Sequence, residues 1–419
     1  MWAKISLTKQ AALMQPLSSP FASPDYVRYL VGSTCLNLGQ TMLGAALGWE
    51  IYERTHDALA LGYVGLTEII PVVLFALAAG QVADKYERRH VVMLALAGMI
   101  AAVLTLAWLS LTGGPIWAFY ACIFVTGTSQ AFYGTARSAM LPRTVPGELL
   151  ERAVTISSSV SQGAYLIGPA IAGLVIGRLH LAGPIYFVEA VAAGIFLVLL
   201  AGMQPMPVAP SGKAAGWGEV FAGARFVWNS ELMLASITMD MFAVLLGGAV
   251  TLLPIFAKDV LHAGPEGLGW LLMASPLGAF ITGVWMSRRA PIRRNGPVLL
   301  WVVVGFGFAT IGFGLSTNIW LSWAMLCLAG GFDMVSMVIR LNMLQKLTPD
   351  AMRGRVNAVH SVFIGTSNEL GGFESGLTAK FWGPLRSVVF GGVGTLVTVG
   401  LTAWKYPSLR RMGAIPDAE

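Results

Sequence analysis

The chain has 419 residues, of which 56% are hydrophobic and only 11% carry a charged side chain. Soluble domains contain about 25% charged residues, so this composition excludes an ordinary soluble protein and indicates a helical protein with several membrane spans. The net charge of +6 does not indicate nucleic-acid binding, because basic residues beside apolar segments set the orientation of a membrane protein.

Apolar segments recur along the chain at the spacing that bilayer-spanning helices need, about 20 residues each. Residues 1–24 before them are mixed and polar, and we expect no cleavable signal there. The fold class that follows is an all-α membrane protein. We predict about twelve spans, at 26–52, 59–83, 91–111, 116–140, 153–179, 183–203, 232–256, 267–287, 298–315, 319–344, 356–379 and 387–405.

A short charged run, GQVADKYERR at 80–89, separates the second and third spans. Its spacing resembles the loop signature between the second and third helices of the major facilitator superfamily, although that family usually has a glycine at the position of Glu87 and an arginine at that of Lys85. We expect Gly80 to permit close helix approach, and Arg137, at the inner end of the fourth span, to meet Asp84 and lock the cytoplasmic side. The alternatives are a generic basic stop after a membrane hairpin and, for Arg137, a positive-inside anchor. The predicted gating residues are Gly80, Asp84, Lys85, Arg88, Arg89 and Arg137.

The fifth span contains three glycines and a proline at Gly163, Gly168, Pro169 and Gly173. This pattern resembles the glycine-proline signature of exporting antiporters in the same superfamily. Small residues allow two helices to touch, and the proline frees a backbone carbonyl where the helix can bend. An ordinary glycine-rich packing seam is the alternative.

Residues 204–218 are rich in Pro, Gly and Ala, which is typical of a linker between domains. The apolar residues from Trp217 to Trp228 then fall at helical spacing, which predicts a short amphipathic helix on the inner membrane surface. Two bundles of six helices suit a transporter whose halves rock about a central site. The predicted units are a cytoplasmic segment at 1–25, a bundle at 26–203, a cytoplasmic linker at 204–230, a second bundle at 231–405 and a cytoplasmic tail at 406–419.

The basic residues give the orientation. With these spans, 21 of the 27 lysines and arginines fall on the side of the termini, five fall on the other side, and Arg340 lies inside a span. Because lysine and arginine concentrate in cytoplasmic loops, we predict that both termini are cytoplasmic and that the protein lies in the inner membrane of a bacterium.

The second half carries a longer resemblance. The run TPDAMRGRVNAVHSVFIGTSNELGGFESG at 348–376, together with 239–254 and 332–340, resembles the bacterial branch of the superfamily that includes enterobactin-exporter-like proteins. The resemblance covers essentially all twelve spans. It implies efflux, and it does not identify a substrate.

Ionisable residues inside the spans are the candidates for coupling, because a charge at the bilayer centre costs at least about 2.5–3.5 kcal/mol. Glu68, Asp240, Asp333 and Glu369 lie well inside their spans. Asp333 shares a helix face with Arg340, seven residues on, which favours a structural role; we expect this separation to be too long for direct contact. An unpaired buried carboxylate binds a proton near neutral pH, so Asp240, Glu369 and Glu68 are the better proton carriers. For each acid, a structural ion pair or hydrogen bond is the alternative.

A substrate cavity is expected at mid-depth between the halves. A mixture of polar and aromatic residues on the first, fourth, seventh, tenth and eleventh spans predicts a bulky amphipathic small-molecule substrate. The predicted lining residues are Asn37, Gln40, Tyr133, Phe242, Met337, Arg340, Phe363 and Asn368.

No enzymatic pattern is found in the sequence. The five histidines are scattered without the spacing of a metal site, and no phosphate-binding glycine loop is present, so we expect no metal, no cofactor and no ATP-driven step. We therefore predict a monomeric exporter that alternates access to a central site and exchanges its substrate for protons. An importer or uniporter of the same fold, a lipid or lysolipid flippase, and a non-transporting membrane receptor or scaffold are the alternatives. Membrane lipids are expected partners, and nucleic acid is not.

Overall fold

The computed structural model describes residues 19–205, 217–290 and 292–413. Within these ranges it is a bundle of helices without a β-strand, as the sequence predicts. Each of the twelve expected spans corresponds to one long helix. The helices α1 to α12 are, in order, Pro24–Thr55, Ala58–Lys85, Arg88–Thr112, Ile116–Ser138, Leu150–Leu179, Gly183–Ala201, Glu231–Val260, Gly264–Ser287, Asn295–Leu315, Ile319–Leu347, Asp350–Trp382 and Pro384–Lys405.

Nine of these twelve helices are long and apolar enough to cross a membrane by length and composition alone, counted over the described residues. The other three, α1, α4 and α11, carry polar side chains along their length, such as Gln40, Gln130 and Asn368. Polar side chains inside a membrane face a bundle interior or a water-filled space. These three helices are therefore expected to line the interior of the protein.

Local signals set several helix ends. The side chains of Ser23, Asp57 and Asn318 accept hydrogen bonds from backbone N–H groups in the first turns of α1, α2 and α10. His56 and His180 adopt left-handed conformations at the ends of α1 and α5. These caps place the breaks between spans where the charged and polar residues occur in the sequence.

Helix α7 is discontinuous. Its regular part ends at Leu246, Gly247 and Gly248 follow, and the rest continues as short 3-10, α and π turns. A Cβ placed on Gly248 would lie 2.7 Å from the carbonyl oxygen of Gly371 in α11. The two glycines therefore let α7 break at the point where its backbone touches α11.

The connecting helix Trp217–Asn229 lies before α7. Its buried residue Val227 packs with Met233 and Val356, and Gly223 sits against the backbone of Arg355 at the start of α11. Phe221 and Trp228 are exposed. The remainder of the predicted linker at 206–216, the N-terminal residues 1–18 and the tail residues 414–419 lie outside the described ranges, and the predicted unit boundaries there stay predictions.

Two helix pairs join the halves, α2 with α11 and α5 with α8. An even number of helices places both ends of the described chain on one side, here named the terminal side. Away from that side the pairs touch closely: Gly62 packs on the backbone of Phe373, and Gly173 packs on Gly269. Toward the terminal side, Cβ atoms on Gly80 of α2 and Gly365 of α11 would meet open space. The two halves therefore diverge toward the terminal side.

Candidate substrate cavity and ion-coupling residues

A cavity of about 360 Å³ lies between the two halves. It is formed by α1, α2, α5, α7, α8 and α11, and most of its lining is apolar. Its polar residues are Thr41, Glu68, Tyr165, Thr251 and Glu369. A mostly apolar cavity with a few polar groups is the usual form of a small-molecule site.

Two carboxylates of the cavity come from opposite halves. Glu68 lies on α2 and Glu369 on α11, and a Cβ on Gly65, one helical turn from Glu68, would overlap the Glu369 carboxylate. Glu369 therefore lies against α2 beside Glu68. Two negative charges on the lining of one cavity repel each other unless one of the groups holds a proton.

Polar contacts close the side of the protein opposite the termini. They are Lys258 to Glu53 at 2.7 Å, Lys380 to Asp57 at 2.9 Å, and the Tyr52 hydroxyl to the Asp259 carboxylate. Each contact joins one half to the other. The hydrogen bond from Lys380 holds the pKa of Asp57 below its ordinary value of 3.8. The cavity is thus separated from that side of the membrane by charged contacts that can break and reform.

The glycine-proline pattern of α5 packs against both halves. Gly168 lies against Thr41 and the carbonyl oxygen of Leu38 in α1, so a Cβ there would overlap them. A Cβ on Gly173 would lie 2.5 Å from the carbonyl oxygen of Pro265 at the start of α8. Pro169 lines the cavity. Gly163 faces open space, so the close packing expected of this pattern does not extend to it in this conformation.

The predicted gating loop is fixed within the first half. Arg88 donates to the carbonyl oxygen of Ala139 at 3.4 Å, and Arg89 donates to those of Met203 and Ala201 at 2.6 and 2.9 Å. The two arginines thereby tie the start of α3 to the ends of α4 and α6, where the carbonyl groups of a helix attract cations.

The other members of the loop make fewer contacts. Lys85 lies over the ring of Tyr86 at 5.5 Å. The expectation that Gly80 permits close helix approach is wrong for this conformation, because the halves are apart at that depth.

The predicted contact between Arg137 and Asp84 is also wrong for this conformation. Arg137 donates to the Tyr29 hydroxyl and to Asn37 Oδ1, both at 3.3 Å, and lies over the Tyr133 ring at 5.4 Å. Arg137 is on the face of α4 whose side chains hydrogen-bond to α1, so its side chain is held inside the first bundle rather than at the end of α2.

An ion-paired cluster occupies the second bundle. Arg340 of α10 pairs with Asp240 of α7 and lies 3.7 Å from Asp333. The expectation that Asp333 and Arg340 are too far apart for contact is wrong, because a long helical side chain points back toward the N-terminus and covers two turns. The premise that Asp240 is unpaired is also wrong. The neighbouring helix supplies its partner, which no pattern within α7 indicates.

The predicted lining residues fall into three groups. Gln40 lines a smaller cavity in the first bundle, described below, while Asn37, Tyr133 and Arg340 are buried in bundle cores. The others, Phe242, Met337, Phe363 and Asn368, are exposed and do not line the 360 Å³ cavity. Besides α1, α7 and α11, the cavity draws on α2, α5 and α8, which were not among the spans predicted to line it, because the halves meet along these helices.

One acid of the spans was not among the predicted proton carriers. Glu189 of α6 is fully buried, and neither of its carboxylate oxygens has a hydrogen-bond partner among the described residues. The signal was present, since Glu189 is the one charged residue within the 19 residues of α6. It lines a cavity of about 140 Å³ together with Gln40, Gln130 and Glu68.

Comparisons of the sequence and of the fold with known proteins both identify membrane transporters. The family model described as Major Facilitator Superfamily matches residues 29–372. The chain is 27% identical over 382 residues to the enterobactin exporter EntS of Shigella boydii, a match that covers 90% of each chain. It also resembles two solved structures in fold.

The first is a bacterial homologue of the human lysosomal transporter Spinster in an inward-facing conformation, with a TM-score of 0.72, 13% identity and coverage of 94% of this chain and 99% of that one. The second is the xylose transporter XylE from E. coli in an inward-open conformation, with a TM-score of 0.68, 13% identity and coverage of 91% and 95%.

Proposed function

Because this chain belongs to the major facilitator superfamily and is a multi-pass membrane transporter, we propose that it exports a small amphipathic molecule in exchange for protons. The observation that supports this proposal most directly is the pair Glu68 and Glu369, which brings carboxylates from opposite halves together beside the cavity. A proton bound by this pair affects the contact between the halves and therefore the direction in which the cavity opens.

The sign of this coupling follows from electrostatics. In the conformation described here, α2 and α11 touch and the side opposite the termini is closed. A proton on Glu68 or Glu369 removes the repulsion across this contact and stabilises the closed side, whereas loss of the proton favours separation of the two helices there. If the termini are cytoplasmic, as the basic residues predict, the protonated protein opens to the cytoplasm.

This coupling drives export. Protons enter from the acidic outer side, favour the conformation open to the cytoplasm, and leave there as substrate enters the cavity. The deprotonated, loaded protein then opens outward. The mostly apolar lining of the cavity, with its few polar groups, supports an amphipathic substrate with aromatic or aliphatic surface. The transporter acts as a monomer in a bacterial inner membrane and takes this substrate from the cytoplasm or the inner leaflet.

The test uses proteoliposomes with an imposed pH gradient. Two compounds serve as substrates: enterobactin, because a relative is named as its exporter, and ethidium, an aromatic cation. We expect the wild type to move at least one of these compounds in the direction opposite to the flow of protons. Glu68→Gln and Glu369→Gln should each lower gradient-driven flux at least tenfold, since each retains the shape of the side chain and loses its proton exchange.

The control is Glu148→Gln, which alters an exposed acid outside the long helices and should transport as the wild type does. Gradient-driven flux that persists in both cavity variants would contradict proton coupling at this pair. Accumulation in the same direction as the protons would instead support the importer.

A further inference from the structure

The smaller cavity lies wholly within the first bundle. It has a volume of about 140 Å³ and is formed by α1, α2, α3, α4 and α6. Gln40 and Gln130 face each other across it and share a hydrogen bond of 3.2 Å. A space of this size with several polar side chains is large enough for water molecules, each of which needs about 10–15 Å³ and two to four polar partners.

Glu189 ends this cavity in the bundle core. Its side chain is inaccessible to solvent, both of its oxygens lack a hydrogen-bond partner among the described residues, and it packs directly on Gly39 of α1. An ionised carboxylate in such surroundings has neither a cation nor donors to offset its lost hydration. The group is therefore stable here only with a proton bound.

Few ionisable groups face Glu189 from the elements around it. Tyr133 of α4 is close enough to interact with its charge, and Glu68 of α2 lines the same cavity. Helices α1 and α3 present Gly39, Gln40 and Met99 there, which do not titrate. The basic residue of α4, Arg137, is engaged by Tyr29 and Asn37.

Glu68 connects the two cavities, because it lines both the 140 Å³ space and the 360 Å³ cavity between the halves. Polar side chains therefore line both cavities, from Glu369 and Glu68 to the glutamine pair and Glu189. We propose that Glu189 is a proton-binding site inside the first bundle, loaded and emptied through Glu68. It holds the proton away from the substrate cavity while the substrate occupies that cavity. This inference rests on the proposed function for its role in transport, although the binding of a proton does not.

Infrared difference spectroscopy tests proton binding without any substrate. The purified protein is shifted between acidic and alkaline pH, and the C=O band of protonated carboxyl groups is recorded. We expect wild type to lose a carboxyl band on alkalinisation that Glu189→Gln lacks at every pH. Because the amide keeps the size of the side chain and needs no proton, this variant should fold and should resist thermal unfolding at least as well as wild type at alkaline pH.

Glu50→Gln is the matched control. Glu50 lies in the same bundle, is similarly buried, and is paired with Arg54 at 2.5 Å and with the Tyr186 hydroxyl at 2.7 Å. The control removes a carboxylate that already has a cation and a hydroxyl as partners, so the variant should keep the Glu189 band. Gln130→Leu, which removes polar groups from the connecting cavity, should keep the band at equilibrium and slow its response to a pH jump at least tenfold.

A band that is unchanged in Glu189→Gln would overturn the proposal, as would a Glu189 band that never responds to pH. A band that disappears on addition of sodium at constant pH would also overturn it and assign the cavity to a metal cation. If the band behaves as expected but proteoliposomes show no proton-driven transport, the proton site stands and the proposed function fails.

Discussion

The paired cluster in the second bundle gives the sharpest test of the packing. In Asp240→Asn, the positive charge of Arg340 remains buried, since only 5% of its side chain is exposed, and its remaining acidic neighbour, Asp333, lies 3.7 Å away. Removing one partner of a buried ion pair costs about 3–5 kcal/mol. We expect about 3 kcal/mol, the lower end, because Asp333 still attracts Arg340.

Asp333→Asn is the matched change. The Asp333 side chain is 51% exposed and makes the longer contact, so its loss should cost less than about 1 kcal/mol. Free energies of unfolding are measured by reversible denaturation in detergent micelles, followed by tryptophan fluorescence. The double variant Asp240→Asn with Arg340→Gln should recover part of the loss, since it leaves no buried charge unpaired.

Equal costs for the two aspartate variants would refute this reasoning, and so would a double-mutant cycle without coupling between Asp240 and Arg340. Transport by Asp240→Asn separates the two roles of this residue. A variant that is destabilised but still coupled to the pH gradient assigns Asp240 to structure, whereas a stable variant that loses coupling restores it as a proton carrier.

Three further results are expected. Gly173→Ala should weaken the closure of the side opposite the termini and lower transport several-fold, because its Cβ would lie 2.5 Å from a backbone carbonyl of α8. Gly163 faces open space, so Gly163→Ala should change neither the closure nor transport. Distances between spin labels on the two halves measure the closure, and equal effects of the two variants would contradict the packing. The lowered pKa of Asp57 means that its contact with Lys380 is complete above pH 3.8 and is lost as the pH falls below that value. The spin-label distances should therefore lengthen on strong acidification of the wild type. In Lys380→Ala, which lacks this contact, acidification should change the distances less. Arg89→Ala removes two hydrogen bonds to the end of α6 and should lower the free energy of unfolding by about 1–2 kcal/mol. The expected loss is smaller than for a buried group because the site is partly exposed. An unchanged free energy of unfolding would show that Arg89 does not stabilise the contact between α3 and α6.

Much of the fold was determined by the sequence alone. The spacing of apolar segments determined twelve helices, since each span must satisfy its own backbone hydrogen bonds in lipid and must match the bilayer thickness. The charged run at 80–89 and the capping residues marked the breaks.

The roles of individual acids depended on the tertiary structure. Asp240 was expected to be unpaired, and Arg340 on another helix pairs with it. Glu68 and Glu369 are about 300 residues apart in the chain, and only the contact between α2 and α11 brings them together. Glu189 shows the reverse case, since its carboxylate has no hydrogen-bond partner in the described part of the chain although its helix is closely packed.

These outcomes have one physical reason. Membrane insertion depends on the composition of each segment by itself, and a sequence shows that composition directly. The charge state of a buried group depends instead on which side chains surround it. Those neighbours come from other helices, so the arrangement of the helices decides which acid is paired, which lies at the cavity and which holds a proton in the core.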